Sequence, residues 1–187
     1  FTGNHAARID VGGGGICTGF GDMTLTNCLF VNNTTAEDNR IGNFRINGNS
    51  ISLTSTGNTS PVKIVNCTIT GDWTNANRLA NIAVYNAHVT IVNSIIRGGD
   101  NQFFFGDIFT SVDNTVSVTY SNTQRGFAGT GNLTADPKFV NAAAGNYRLQ
   151  PTSPCLNTGS SSAPSLPATD FDGGPRIIGS APDMGAY

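Results

Sequence analysis

The chain has 187 residues, enough for one domain with a core of its own. Its formal net charge is −2 and 12% of its residues are charged, which excludes the clustered Lys and Arg of a nucleic-acid or anionic-membrane surface, and no apolar run is long enough to span a bilayer. With 22 Asn, 22 Thr and 23 Gly against one Glu and two Lys, and with 38% hydrophobic residues including 11 Phe, the composition excludes a helical or disordered chain and asks for short strands joined by tight corners.

Taken in chain order, the elements repeat. Phe1–Asn4 matches Phe30–Asn33 at an offset of 29, as though the chain entered in mid-strand. The next copy is Met23-Thr24-Leu25-Thr26-Asn27-Cys28-Leu29-Phe30. A second strand is expected at Asn43-Phe44-Arg45-Ile46, then a polar, turn-rich excursion near residues 55–60. The first pattern returns at Val62–Ile69, Val89–Ile96 and Val116–Thr123, at offsets of 39, 27 and 27. The second returns at Asn81–Val84 and Asp107–Thr110.

Each copy alternates with the period of a strand. Met23, Val62, Val89 and Val116 form one inward column, and Leu25, Ile64, Ile91 and Val118 a second. Thr24, Lys63, Thr90 and Ser117 point outward between them. A unit of 27 residues holds three strands of about five residues with three turns, one coil of a parallel β-helix, whereas a propeller blade needs about 40–50 residues. Each buried Val, Ile or Phe contributes roughly 1.5–3 kcal/mol, and a coil buries its apolar face only by stacking on the next.

The stack gives the polar residues roles. Asn27, Asn66 and Asn93 fall at one bend, where amides stacked about 4.8 Å apart form a hydrogen-bonded structural ladder that Tyr120 ends. Cys28, Cys67, Ser94 and Ser121 share the next position, which takes a small side chain. Four Cys, at Cys17, Cys28, Cys67 and Cys155, permit three disulfide pairings, and no Cys-x-x-Cys spacing suggests zinc. Buried small thiols are the preferred reading for Cys28 and Cys67; a disulfide between them is allowed by distance but awkward in register.

After about Phe127 the repeats stop and Pro, Gly and Ser become frequent. Residues 1–126 are therefore read as coils truncated at the N-terminus, and 127–187 as a loop-rich cap of the same domain. The open N-terminal end would suit head-to-tail self-assembly.

The cap carries a resemblance. Asp136-Pro137-Lys138-Phe139-Val140 leads to Gly145-Asn146-Tyr147-Arg148-Leu149, then Ser153-Pro154-Cys155-Leu156-Asn157-Thr158-Gly159. Asp170-Phe171-Asp172-Gly173-Gly174-Pro175-Arg176 and Asp183-Met184-Gly185-Ala186-Tyr187 follow. This resembles the end of bacterial β-helix proteins of the choice-of-anchor Q type, in the pectate-lyase-like superfamily. Gly13 to Asn33 is also similar to polymorphic outer-membrane-protein repeats. The resemblance implies an all-β, right-handed parallel β-helix, a single-stranded solenoid with a loop-rich C-terminal cap, in a secreted, extracellular or cell-surface protein. It carries the fold better than any activity.

No acid–base set converges on the outward columns, so the chain is expected not to be catalytic. Arg45, Lys63 and Asp107 are candidates for a polar surface groove that binds polysaccharide or other surface glycans. Asp170, Asp172 and Asp183 are candidates for a Ca²⁺ site, although the Asp-x-Asp-Gly stretch lacks the closing Glu of a calcium loop. A salt link to Arg176 or turn capping by Asp is the stronger expectation there. The reading is a structural or adhesive surface module, glycan-binding or a filament subunit. Its rival is the C-terminal fragment of a β-helix polysaccharide lyase or glycoside hydrolase whose active coils lie upstream.

Overall fold

A computed structural model describes residues 5–6, 15–18, 22–35, 50–54, 61–71, 80–85, 87–98, 107–110 and 115–187. Among them the chain is all-β, with one 3₁₀ turn at Ala142–Ala144. No helix among the described residues is long and apolar enough to cross a membrane.

Strand β1 (His5–Ala6) pairs in parallel with β5 (Thr34–Thr35). Three four-stranded parallel sheets form the body. The first joins β3 (Met23–Thr26), β7 (Pro61–Val65), β10 (His88–Val92) and β13 (Thr115–Thr119). The second joins β4 (Leu29–Val31), β8 (Thr68–Thr70), β11 (Ile95–Arg97) and β14 (Asn122–Thr123). The third joins β2 (Ile16–Thr18), β6 (Ile51–Thr54), β9 (Ile82–Tyr85) and β12 (Ile108–Thr110). Each sheet thus takes one strand from every repeat, and each strand pairs with its own equivalent in the next.

The register of the first sheet is the one the repeat implies. Met23 faces Val62, Val62 faces Val89 and Val89 faces Val116, with Leu25, Ile64, Ile91 and Val118 in the parallel file. Ile64, Ile91 and Val118 are fully buried in the central cluster, while Leu25, in the edge strand, packs on it half-buried. Phe30, Ile69 and Ile96 supply the core from the second sheet; Ile51, Ile82, Leu53 and Val84 supply it from the third. Polar outward residues and apolar inward ones alternate because neighbouring Cβ atoms of a strand point to opposite faces.

The third sheet corrects one expectation. Residues 43–46 lie outside the described residues, and the strand that pairs with Ile82–Tyr85 is β6, with Ile51 opposite Ile82. Ile108 does face Ile82 as the repeat implies. The extra length of the 39-residue repeat is also distributed differently. Nineteen residues separate Val31 from Ile51 where eleven separate Thr70 from Ile82. Six separate Thr54 from Pro61 where two separate Tyr85 from His88. Most of the insertion therefore precedes β6, and only four residues of it fall at 55–60, themselves outside the described residues.

Residues 126–133 lie over the fourth repeat. Tyr120 N–H donates to Thr130 C=O at 2.8 Å, and Leu133 N–H to Ser121 C=O at 2.9 Å. Gly129 passes so close that a Cβ would stand 1.9 Å from the Val118 carbonyl oxygen. Phe139–Asn141 (β15) and Asn146–Leu149 (β16) form an antiparallel hairpin. From Cys155 onward the chain runs back beside the repeats. Met184 and Cys155 cover Ile95, and Ala163 with Leu166 covers Val65 and Val92, outward residues that would otherwise meet water.

Candidate functional site

The Asn column is the best-defined polar feature. Asn27, Asn66 and Asn93 have φ of 50°, 50° and 53°, and Tyr120, at the same point of the fourth repeat, has φ 47°. Left-handed backbone is tolerated best by Asn among residues with a side chain, so the bend itself selects the residue. The amides do more than stack on one another. Asn93 Nδ2 donates to Asn66 Oδ1 at 3.4 Å, and also to Ser160 C=O at 3.0 Å. Ser160 N–H returns a bond of 2.7 Å to Asn93 Oδ1. Asn66 Nδ2 donates to Asp183 C=O at 3.1 Å and reaches Gly185 C=O at 3.5 Å, and Asn27 Nδ2 bonds Thr169 C=O. The ladder is thus also the anchor of the C-terminal segment.

The next position forms a second ladder. Cys67 N–H donates to Ser94 Oγ at 3.2 Å and Ser94 N–H to Ser121 Oγ at 3.1 Å. Ser121 N–H donates in turn to Asn132 Oδ1 at 3.0 Å, so Asn132 takes the role of a fifth member. Ser94 and Ser121 hydroxyls bond back to the carbonyls two residues earlier, at 3.0 and 2.9 Å. Cys28, Cys67 and Cys155 are free thiols.

Of the groove residues, Lys63 and Asp107 stand at different sheets. Lys63 is half-buried in the middle of β7, between Thr24 and Thr90. Asp107 precedes β12 in a different sheet and is 4% exposed; its Oδ2 accepts from Arg125 N–H at 3.2 Å. Arg45 lies outside the described residues.

The three aspartates proposed for Ca²⁺ have separate partners. Asp170 Oδ1 accepts the N–H groups of Asp172 and Gly174, both at 2.9 Å, the turn-capping role expected of Asp. Asp183 Oδ1 accepts Asn157 N–H at 2.6 Å. Asp172 receives two bonds from Arg148, 2.8 Å from Nε and 2.6 Å from an η nitrogen. Among the described residues no three His, Cys, Asp or Glu side chains gather as a metal site. Arg176, expected to link to these aspartates, is buried and donates to the carbonyls of Gly185 and Tyr187. Burial pulls its guanidinium below the ordinary value, offset by the nearby Asp183 and Asp170.

One cluster was not visible in the sequence. The Arg148 guanidinium, paired with Asp172, sits 4.9 Å from the centre of the Tyr187 ring. Tyr187 in turn packs against Phe171, centroids 5.1 Å apart at 58°. Both members of the ion pair are substantially exposed, and Phe171 is 48% exposed. Burial raises the Tyr187 phenol above its usual range; Arg148 opposes that and Asp172 adds to it. The signal was an Arg and an Asp–aromatic pair 24 residues apart, and only the return of the segment past β16 joins them.

Comparison of the chain with protein-family models, with curated proteins and with solved structures finds no match.

Proposed function

We propose that the chain is a stretch of right-handed parallel β-helix of the choice-of-anchor Q kind, and that it serves without catalysis as an extracellular or cell-surface module that holds glycans. The architecture is supported by first-sheet strands that return at offsets of 39, 27 and 27 residues to pair with their own equivalents. The observation that carries the function is the patch made by Phe171, Tyr187, Arg148 and Asp172. An exposed ring accepts the C–H face of a sugar, and an adjacent planar ion pair offers donors and acceptors to its hydroxyls. The remaining cap aspartates, Asp136, Asp170 and Asp183, accept the chain's own N–H groups. That is the use of structural rather than reacting groups.

The test is affinity electrophoresis through neutral and acidic polysaccharides. Phe171→Ala is expected to weaken retention about tenfold, equivalent to about 1.4 kcal/mol, with circular dichroism unchanged. Equal retention of variant and parent excludes the patch. Release of unsaturated or reducing ends from the polysaccharide would favour the lyase or hydrolase instead.

A further inference from the structure

Cys28 and Cys67 occupy one position in two consecutive repeats. Thr26 lies opposite Val65 and Leu29 opposite Thr68 in the flanking strands. Thr68 N–H also donates to the Cys28 carbonyl at 2.9 Å. The two cysteines therefore face each other across one strand spacing, about 4.8 Å, inside the roughly 4.4–6.8 Å between Cα atoms that a disulfide spans. Both belong to the core: Cys67 is fully buried in the central cluster, and Cys28 packs on that cluster while keeping a part-exposed face.

Their sulfurs turn to backbone carbonyls of the paired strands β3 and β7. Cys67 Sγ lies 3.4 Å from its own strand's Val65 carbonyl and 3.5 Å from Leu25 C=O of the preceding repeat. Cys28 Sγ lies 3.3 Å from Thr26 C=O. A hydrogen bond from Cys67 brings the Cys28 thiol down to about 7 against the opposing effect of burial. Burial, reinforced by Cys28, pushes Cys67 well up. Cys28, the part-exposed member, is thus the more readily ionised and buried Cys67 the less, the division a reacting and a resolving thiol require. The ladder itself does not need sulfur, because Ser94 and Ser121 fill the same position in the next repeats and satisfy the same backbone groups.

We propose that Cys28 and Cys67 form a modification site for hydroperoxides, closing to a disulfide that staples the first two repeats. The Cys28 thiolate attacks the terminal oxygen of ROOH; an S–O bond forms, the O–O bond breaks, and the departing alkoxide takes a proton from water. The Cys67 sulfur then attacks the Cys28 sulfenic acid. The S–S bond forms, the S–O bond breaks, and the hydroxyl leaves as water with the proton of Cys67. The two thiols lose two electrons, and the peroxide is reduced to ROH and water.

The test treats the intact chain with hydrogen peroxide and maps its cysteines by digestion without reductant. The expected product is the joined Cys28 and Cys67 peptides, about 2 Da lighter than their reduced sum and separated again by a thiol reductant. Cys67→Ser is expected to leave a sulfenic acid on Cys28 that dimedone captures, and Cys155→Ser to form the cross-link as the parent does. Recovery of Cys28 and Cys67 as unlinked thiols, their linkage to Cys17 or Cys155, or direct passage of Cys28 to the sulfinic acid would overturn the proposal. Should Cys67→Ser fail to fold, the peptide map of the parent chain decides alone.

Discussion

Asn66 shows how one residue answers two demands. Its φ of 50° turns the chain between β7 and β8, and its buried amide ties the bend to Asn93, Asp183 and Gly185. Asn66→Ala puts a residue less tolerant of left-handed backbone at the bend and strands the carbonyls of the C-terminal segment, so it is expected to cost about 2–4 kcal/mol in urea unfolding. Asn66→Gly keeps the bend and should cost less; a Gly variant as unstable as Ala would put the whole effect in the hydrogen bonds. The column itself was legible because its offset repeats and because Asn suits such bends. Its partners in the C-terminal segment were not, since carbonyls of a non-repeating loop leave no mark on the sequence. Cys155 makes a pH prediction at the same scale. Burial pushes its thiol up to about 11, above the ordinary value near 9. A folded-state pKa above the unfolded one means that the folded chain holds the proton longer. The stabilisation is therefore complete below pH 9 and lost as pH rises through about 11. Unfolding midpoints of the parent should fall relative to Cys155→Ala across that window, and parallel curves would contradict the shift.

Among elements, position in the stack sets the cost of a substitution. Ile91 lies in β10, flanked by β7 and β13, and is fully buried; Leu25 lies in the edge strand β3 and is half-buried. Ile91→Ala is expected to destabilise by about 2–5 kcal/mol, and Leu25→Ala by clearly less, because the outer site was never fully withdrawn from water. Denaturant midpoints at constant m-value decide this, and equal losses would mean that the edge is packed like the centre. The first and second sheets could be read from the sequence because Val62–Ile69 and Val89–Ile96 superimpose without gaps. The third could not be placed in the long repeat. Asn43–Ile46 and Ser50–Leu53 both begin with a small polar residue and alternate thereafter. Periodicity identifies a strand but not which side of an insertion it falls on.

At the scale of the molecule, the C-terminal segment sets the cooperativity. An array of repeats with contacts only between neighbours unfolds as a sum of local terms. Here the segment crosses that array: it bonds Asn27, Asn66 and Asn93 in three successive repeats and covers Val65, Val92 and Ile95. A repeat cannot open without releasing contacts that also serve its neighbours. Gly185 is the point where this coupling can be cut. It has φ 98°, and a Cβ there would stand 2.9 Å from both Ile95 Cδ1 and Thr68 Oγ1. Gly185→Val, β-branched in left-handed backbone and without room, should lift the segment off the second sheet at a cost of about 2–4 kcal/mol. In a Trp73→Phe, Tyr85→Phe, Tyr120→Phe background, the parent is expected to give coincident transitions by far-ultraviolet circular dichroism, which follows the sheets, and by tyrosine fluorescence, which then follows Tyr147 and Tyr187. In the variant the tyrosine transition should come first and the sheet transition should broaden with a lower m-value. Coincident transitions in both proteins, with the same m-value, would mean that the segment covers the repeats without coupling them.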